Sequence, residues 1–396
     1  MDAAQPNVML ALGPPEQRPP KPAAAHDEQQ RTRWTCHKTV LATHSPYFAA
    51  MFDGEFRESG ASIVFLPPGV FTAPGLDSVL HYMYVNELVL NVNNAPNETL
   101  AKVQLLQDMY AAADYLGMTE LKVAVVARLS DCAHQWTCYC SDCRDVVTQL
   151  FPYSYSRAVN HDDEQMAVIS EKTLIVLTQE PDKALHTYWT GRGLADMITV
   201  AQPDVGSYLN QQIIGRISRF NAIETLHACF LANKTLAPTP SDELRPLKST
   251  VAAAQARSTE IIAHYFDFYC SQYPTLLSCI DGITYSFDFL EFLLQQTLQD
   301  NMRPHNAPTM YQGIVRDLMC RHAVQHCPQV KLILTDARSA VLRYIMHRLD
   351  MVTSCGAFDR LDKAVLIKLA EGTRARRTLH AFYFLFTDSH LAIVCI

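Results

Sequence analysis

The chain has 396 residues, of which 48% are apolar and 18% charged, and a formal net charge of −7 at pH 7. That length holds two or three domains of about 100–200 residues, and the acidic balance excludes the clustered excess of lysine and arginine that marks a nucleic-acid-binding protein. The one local basic cluster, Arg374, Arg376 and Arg377, reads as a solvated helix face.

A secretory signal needs a basic start and an apolar core, and Met1–Ala25 has neither. No uninterrupted apolar run approaches the roughly 18 residues needed to span a membrane; the nearest, Ala381–Ile396, is broken at Thr387–His390. Its apolar last residues, Leu391–Ile396, fit a buried final element or a chain that continues in a larger protein. Twelve cysteines without a signal peptide imply thiols in a reducing compartment, the cytoplasm or the nucleus.

In chain order, Asn7–Leu12 is a short apolar run suited to a strand, and Gly13–Arg31 is a proline-rich, polar loop segment. Thr32–Cys36 reads as a second strand. His37, Leu41, Ser45, Phe48 and Phe52 then recur every three or four residues, as positions on one helical face do. Ser45-Pro46 divides that run, because serine caps a helix and proline suits its first position, so two short helices meet there. Ile63–Leu66 is a strand, Leu76–Tyr84 a helix and Glu87–Val92 a further short strand. Val103, Leu106, Tyr110, Ala113 and Leu116 stand at helical spacing, with Gly117 placed to end that helix in the left-handed conformation. Thr119 is positioned to cap the next helix, whose buried face is Leu121, Val125 and Leu129.

From Asp162 onward the patterns are helical. Leu209, Ile213, Ile217, Phe220, Ile223, Leu226 and Phe230 form one long stripe. Phe287, Leu290, Leu294 and Leu298 make a second, Leu334, Val341, Ile345 and Leu349 a third, and Leu361, Val365 and Leu369 a fourth. Pro238–Pro246, with three prolines, is the expected internal linker.

The order His37-Lys38, Leu41, Ser45, Tyr47-Phe48, Phe52, Glu58-Ser59, Ile63–Leu66, Leu80-Tyr82-Tyr84 and Ala112–Leu116 resembles a BTB/POZ domain. The resemblance implies an α+β BTB/POZ domain over residues 1–131, with 13–31 as an insertion, followed by an all-α helical region. It assigns His37 and its neighbours to core packing, with His37 a buried, hydrogen-bonded histidine. It implies protein partners: members commonly form homodimers, and a subset hold a cullin-type ubiquitin-ligase scaffold through a hydrophobic-x-Glu motif. Phe56-Arg57-Glu58 stands where that motif belongs, and an aromatic anchor beside a carboxylate is a sensible contact pair. Two departures weaken dimerisation by an exchanged N-terminal helix: only Met1–Pro6 precedes the first strand, and Asn7 stands where an acidic residue would pair with Lys38. Residues 162–237 are similar in class to the helical BACK extension of the family, and 247–396 form a C-terminal helical region. The chain also resembles, more loosely, fungal BTB proteins with long helical tails.

Between the two regions, in a junction at 132–161, Cys132, His134, Cys138, Cys140 and Cys143 fall within twelve residues. Cys140 and Cys143 can clamp one tetrahedral zinc, with Cys138 and either Cys132 or His134 closing the site. The alternative is a group of reduced, partly buried thiols with no cofactor. No Gly-x-Ser-x-Gly elbow, phosphate-cradling glycine loop or His-Glu-x-x-His helix occurs, and Cys320, His322, His326 and Cys327 lack an acidic base between them. The expected function is therefore not an enzyme's. It is that of a BTB adaptor linking a client on the helical region to a cullin ligase, or of a cytoskeletal or transcriptional oligomerisation scaffold, without nucleic-acid or membrane binding.

Overall fold

The computed structural model describes residues 6–13, 32–53, 57–92, 95–200, 203–238 and 242–374. Most of the proline-rich insertion, Arg376, Arg377 and the apolar end at 381–396 lie outside them. The chain divides into two compact units, Met1–Val176 and Leu177–Ile396.

The first unit opens with strands β1 (Val8–Leu12) and β2 (Arg33–Cys36), which pair antiparallel with Val8 opposite Cys36. Helices α1 (Lys38–His44) and α2 (Pro46–Asp53) follow, then strand β3 (Ile63–Leu66), parallel to β1, giving the sheet order β2-β1-β3. Alternation explains the sheet's two faces. Val8, Leu10, Trp34, Cys36, Val64 and Leu66 point into the core, whereas Arg33, Thr35, Ile63 and Phe65 face outward.

Helices α3 (Ala73–Val85), α4 (Glu98–Tyr115) and α5 (Thr119–Cys132) cover the inner face. Ser45 makes the α1–α2 corner: its Oγ accepts the Phe48 N–H (3.3 Å) and donates to the Leu116 carbonyl (2.8 Å). Gly75 lets α3 lie close on α4, since a Cβ there would stand 2.9 Å from Thr72 Oγ1 and 3.0 Å from Asp108 Cβ. Gly117 adopts φ +70° after α4, as expected of a helix-ending glycine. Leu121, Val125 and Leu129 are fully buried on α5.

Three expectations need correction. Glu87–Val92 forms no strand; its alternation finds no neighbouring edge among the described residues. The residue capping α5 is Met118, so Thr119 is already its first helical position. His37 is half-buried, not a core residue.

Helices α6 (Ser141–His161) and α7 (Glu164–Thr178) extend the same unit. Val146 and Leu150 of α6 and Met166 and Ile169 of α7 join the hydrophobic core of the strands and first helices. The compact unit is therefore larger than the strand-and-helix region alone.

The second unit is helical, with α8 (Pro181–Thr187), α9 (Arg192–Val200), α10 (Pro203–Gly215), α11 (Ala222–Leu236) and α12 (Arg245–His264) in order. After them come α13 (Phe266–Gln272), α14 (Phe287–Asn301), α15 (Ala307–Gln312), α16 (His322–Gln325), α17 (Pro328–His347), α18 (Leu349–Ser354) and α19 (Lys363–Arg374). Helix α11 packs on α8 and α12, α12 on α14, and α14 and α15 on α17. Pro238–Pro246 thus joins two packed helices inside one unit, and Asn233 Nδ2 of α11 donates to Gln255 Oε1 of α12 at 2.9 Å.

The long stripe from Leu209 to Phe230 is two helices, broken at Arg216–Asn221. Leu209, Ile213, Ile217, Ile223 and Leu226 are buried, but Phe220 in the break is 70% exposed against the Arg219 guanidinium. Among the described residues no helix is long and apolar enough to cross a membrane.

Candidate functional site

On the first unit, the residues picked out by pattern split into core and surface. Leu41 and Phe48 are fully buried, and Ser45 is the buried corner between α1 and α2. Phe52 is half-buried, stacked on Phe48 at 5.7 Å with Lys38 Nζ 5.3 Å above its ring. His37 stands between β2 and α1, beside Tyr84 of α3: its Nδ1 lies 2.9 Å from the Tyr84 hydroxyl, which also accepts the His37 backbone N–H at 2.8 Å.

Asn7 has a defined role in place of a charged one. Its Oδ1 accepts the Lys38 N–H (2.8 Å) at the start of α1, while the Lys38 ammonium donates to the Ser59 carbonyl (2.8 Å). Lys38 therefore tethers the 3-10 turn Arg57–Gly60 to α1. Phe56 and the side chain of Glu58, the named contact pair, lie outside the described residues.

A polar network that pattern reading missed joins α4, α5, α6 and the start of α7. The Tyr110 hydroxyl donates to Asp163 Oδ1 (2.8 Å), and Arg157 donates to Asp163 Oδ2 (3.2 Å) and Asp114 Oδ2 (2.5 Å). Lys122 Nζ reaches Asp114 Oδ1 (2.6 Å), and Lys122 and Arg157 each stand about 5 Å from the Tyr110 ring centre. Burial, reinforced by the Asp163 carboxylate, pushes the Tyr110 hydroxyl well above its ordinary pKa. Burial pushes Asp163 up as well, but the Tyr110 hydroxyl, the Met166 N–H and the Lys122 and Arg157 charges outweigh it and hold the carboxyl below its usual range. Each of these charges has a partner, so the network locks the helices together. Its partners are spread from Tyr110 to Asp163, so no local spacing announces it.

The Cys/His cluster sits between α5 and α6. One ligand atom each from His134, Cys138, Cys140 and Cys143 lies within 4.8 Å of all the others. His134 Nδ1 is 3.3 Å from Cys143 Sγ and 3.7 Å from Cys140 Sγ. Cys132 stands apart from this group as the last residue of α5, partly buried against the hydrophobic core. Of the two candidates for the fourth ligand, the chain brings His134 to the thiols.

That approach depends on an uncommon turn. His134, Gln135 and Trp136 have φ of 44°, 55° and 64°, each costing about 1–2 kcal/mol for an L-residue. Local bonds hold it: Trp136 Nε1 to Ser130 Oγ (3.2 Å) and Gln135 Nε2 to Asp131 Oδ1 (2.7 Å). Cys140 caps α6, its sulfur accepting the Cys143 N–H (3.5 Å), and that bond draws its thiol down to about 7. Burial pushes Cys143 the other way.

In the second unit, Arg257, Glu260, His264, Asn301, Arg303 and Asn306 line a hollow of about 520 Å³. Several of its polar groups bond locally: Arg257 with Glu260 (2.7 Å), Arg303 with the Asp300 carbonyl (2.9 Å), and Asn306 with the Asn301 carbonyl (3.0 Å). His322 and His326 face each other at 3.0 Å on the surface, and Cys320 bonds to the Val315 carbonyl (3.2 Å).

The β2-β1-β3 sheet under paired helices, with the Ser45 corner, is the architecture of a BTB/POZ domain, and residues 27–132 match that family. The chain thus carries a BTB/POZ domain followed by helices. Among curated proteins it is similar to Kelch-like protein 38 of Homo sapiens, 35% identical over 98 residues, which cover 22% of this chain and 16% of the relative. The Rattus norvegicus protein of the same name is 37% identical over 83 residues, 20% of this chain and 14% of the relative, and that of Mus musculus 36% over 83 residues, with the same shares. The chain matches about a sixth of these relatives' own length.

Proposed function

We propose that the chain is a protein-interaction adaptor whose BTB/POZ domain engages a cullin-type ubiquitin-ligase scaffold while its helical unit presents a client. The observation that carries the adaptor reading is the match of residues 27–132 to the BTB/POZ domain. Phe56 and Glu58 are the contact pair. They follow α2 directly, and the backbone of Glu58 lies in the 3-10 turn that Lys38 fixes through Ser59. An aromatic residue two positions before a carboxylate in the sequence makes a pair of the kind that concentrates binding energy in few residues.

A pull-down comparing the wild-type chain with Phe56→Ala/Glu58→Lys tests the proposal. Wild type retains a cullin and the double variant loses it. A wild type that retains none ends the ligase reading.

One observation favours the scaffold reading as the alternative. Among the described residues strand β3 is a sheet edge, and its outward residues Ile63 and Phe65 are 38% and 41% exposed. An apolar edge of this kind accepts another strand. The two readings separate on the pair of results: a scaffold self-associates in sedimentation equilibrium and retains no cullin in the pull-down, whereas an adaptor retains the cullin whatever its own association state.

A further inference from the structure

We infer that His134, Cys138, Cys140 and Cys143 form a closed, structural zinc site that ties the end of α5 to the start of α6. The geometry comes close to it with the metal left out. A tetrahedral zinc with bonds of about 2.3 Å to sulfur and 2.0 Å to nitrogen sets nitrogen and sulfur about 3.5 Å apart and two sulfurs about 3.8 Å apart. The two nitrogen–sulfur distances, 3.3 and 3.7 Å, stand on either side of the nitrogen–sulfur value, and no pair exceeds 4.8 Å. The widest pair has to close by about 1 Å at most.

The donor set selects the metal class. Three thiolates and an imidazole suit a borderline-soft ion such as zinc, and magnesium or calcium would require oxygen ligands. Four protein ligands leave no open position, so the site holds structure and activates no water. Cys143 is buried, Cys138 and Cys140 are half-buried and His134 is exposed, which gives the ion one solvent-facing side by which to enter. The Cys143 N–H bonded to Cys140 Sγ is the outer contact that orients a metal thiolate.

The left-handed run from His134 to Trp136 supplies the second line of support. It turns the chain straight after α5 so that the imidazole meets sulfurs four to nine residues later. A Cys140–Cys143 disulfide would involve two of the four groups and give no reason for that turn. The staple also bears on α6 as a whole. Farther along α6, Tyr153 and Arg157 bond to α4, so the ion would fix the near end of a helix whose far end the polar network already fixes.

Metal analysis and cobalt substitution of the full-length chain, purified under reducing conditions, test this. The wild type is expected to hold about one zinc per chain. Cobalt in its place should show the intense visible absorption of tetrahedral thiolate coordination. Cys140→Ser and His134→Ala should each lower metal content at least fivefold, while Cys132→Ser keeps it. A variant that misfolds is recognised by circular dichroism, and the cobalt spectrum of the wild type then decides. Less than about a tenth of an equivalent in the wild type, a cobalt spectrum without thiolate bands, or equal loss in Cys132→Ser overturns the site. So does a Cys140–Cys143 disulfide found under the same reducing conditions.

Discussion

The Tyr110 hydroxyl of α4 donates a 2.8 Å hydrogen bond to Asp163 Oδ1, and the same oxygen accepts the Met166 N–H at 3.2 Å. One carboxylate therefore caps α7 and anchors it to the central helix of the BTB/POZ domain. The cap is a sequence-local device, and the anchor crosses 53 residues. Together they explain why α6 and α7 share the core of the strands and early helices.

Tyr110→Phe removes the donor and keeps the ring. A buried hydrogen bond to a charged group is worth about 1.5–3 kcal/mol, so the first unit should lose that much in urea unfolding. Hydrogen exchange should show faster opening of the first turn of α7, with α1 and α2 changed far less.

Acid should act on the same bond. The folded pKa of Asp163 is held below its unfolded value of about 3.9. Its contribution is thus fully present above that value and is lost as pH falls through the folded pKa. A urea midpoint series from pH 6 to pH 2.5 should drop more steeply for wild type than for Asp163→Asn in the acid part of the range.

Ser45→Ala should cost about 2–3 kcal/mol, from the lost cap and from the Leu116 carbonyl left without its donor. The side chain is fully buried, so water cannot replace either bond. Ser45→Thr tests the role of the hydroxyl: it should recover part of the loss in thermal unfolding if the corner has room for a methyl group.

The second unit has its own pH response at His227. Burial, with the nearby His186 and Lys234 charges, lowers the His227 pKa among the rings of Phe230, Tyr285 and Phe289. The unfolded chain, with its imidazole near 6.5, takes up the proton first. Stability is therefore greatest above about pH 6.5 and falls as the pH drops toward the depressed folded value. His227→Phe should flatten that part of the profile, read by differential scanning calorimetry between pH 7.5 and pH 5.

Local chemistry made the early elements readable. Ser45 caps the helix three residues on through its own hydroxyl and Gly117 acts through its own backbone, so the corner and the helix end stand where the pattern puts them. Choices that depend on distant partners were hidden. Glu87–Val92 alternates as a strand does, yet a strand requires an edge in space. His37 looked like a core residue, but Tyr84, 47 positions on, holds it at the surface. Between Cys132 and His134 the spacing could not choose, because the choice rests on three left-handed residues that no glycine announces. Asp163 and Tyr110 lie too far apart for a sequence pattern to pair them.

Titration calorimetry of the purified full-length chain with the N-terminal region of a cullin tests the adaptor account most directly. The account predicts saturable one-to-one binding with a Kd below about 10 μM, at least tenfold weaker for Phe56→Ala/Glu58→Lys. No binding up to about 100 μM, or equal binding by both forms, would contradict it.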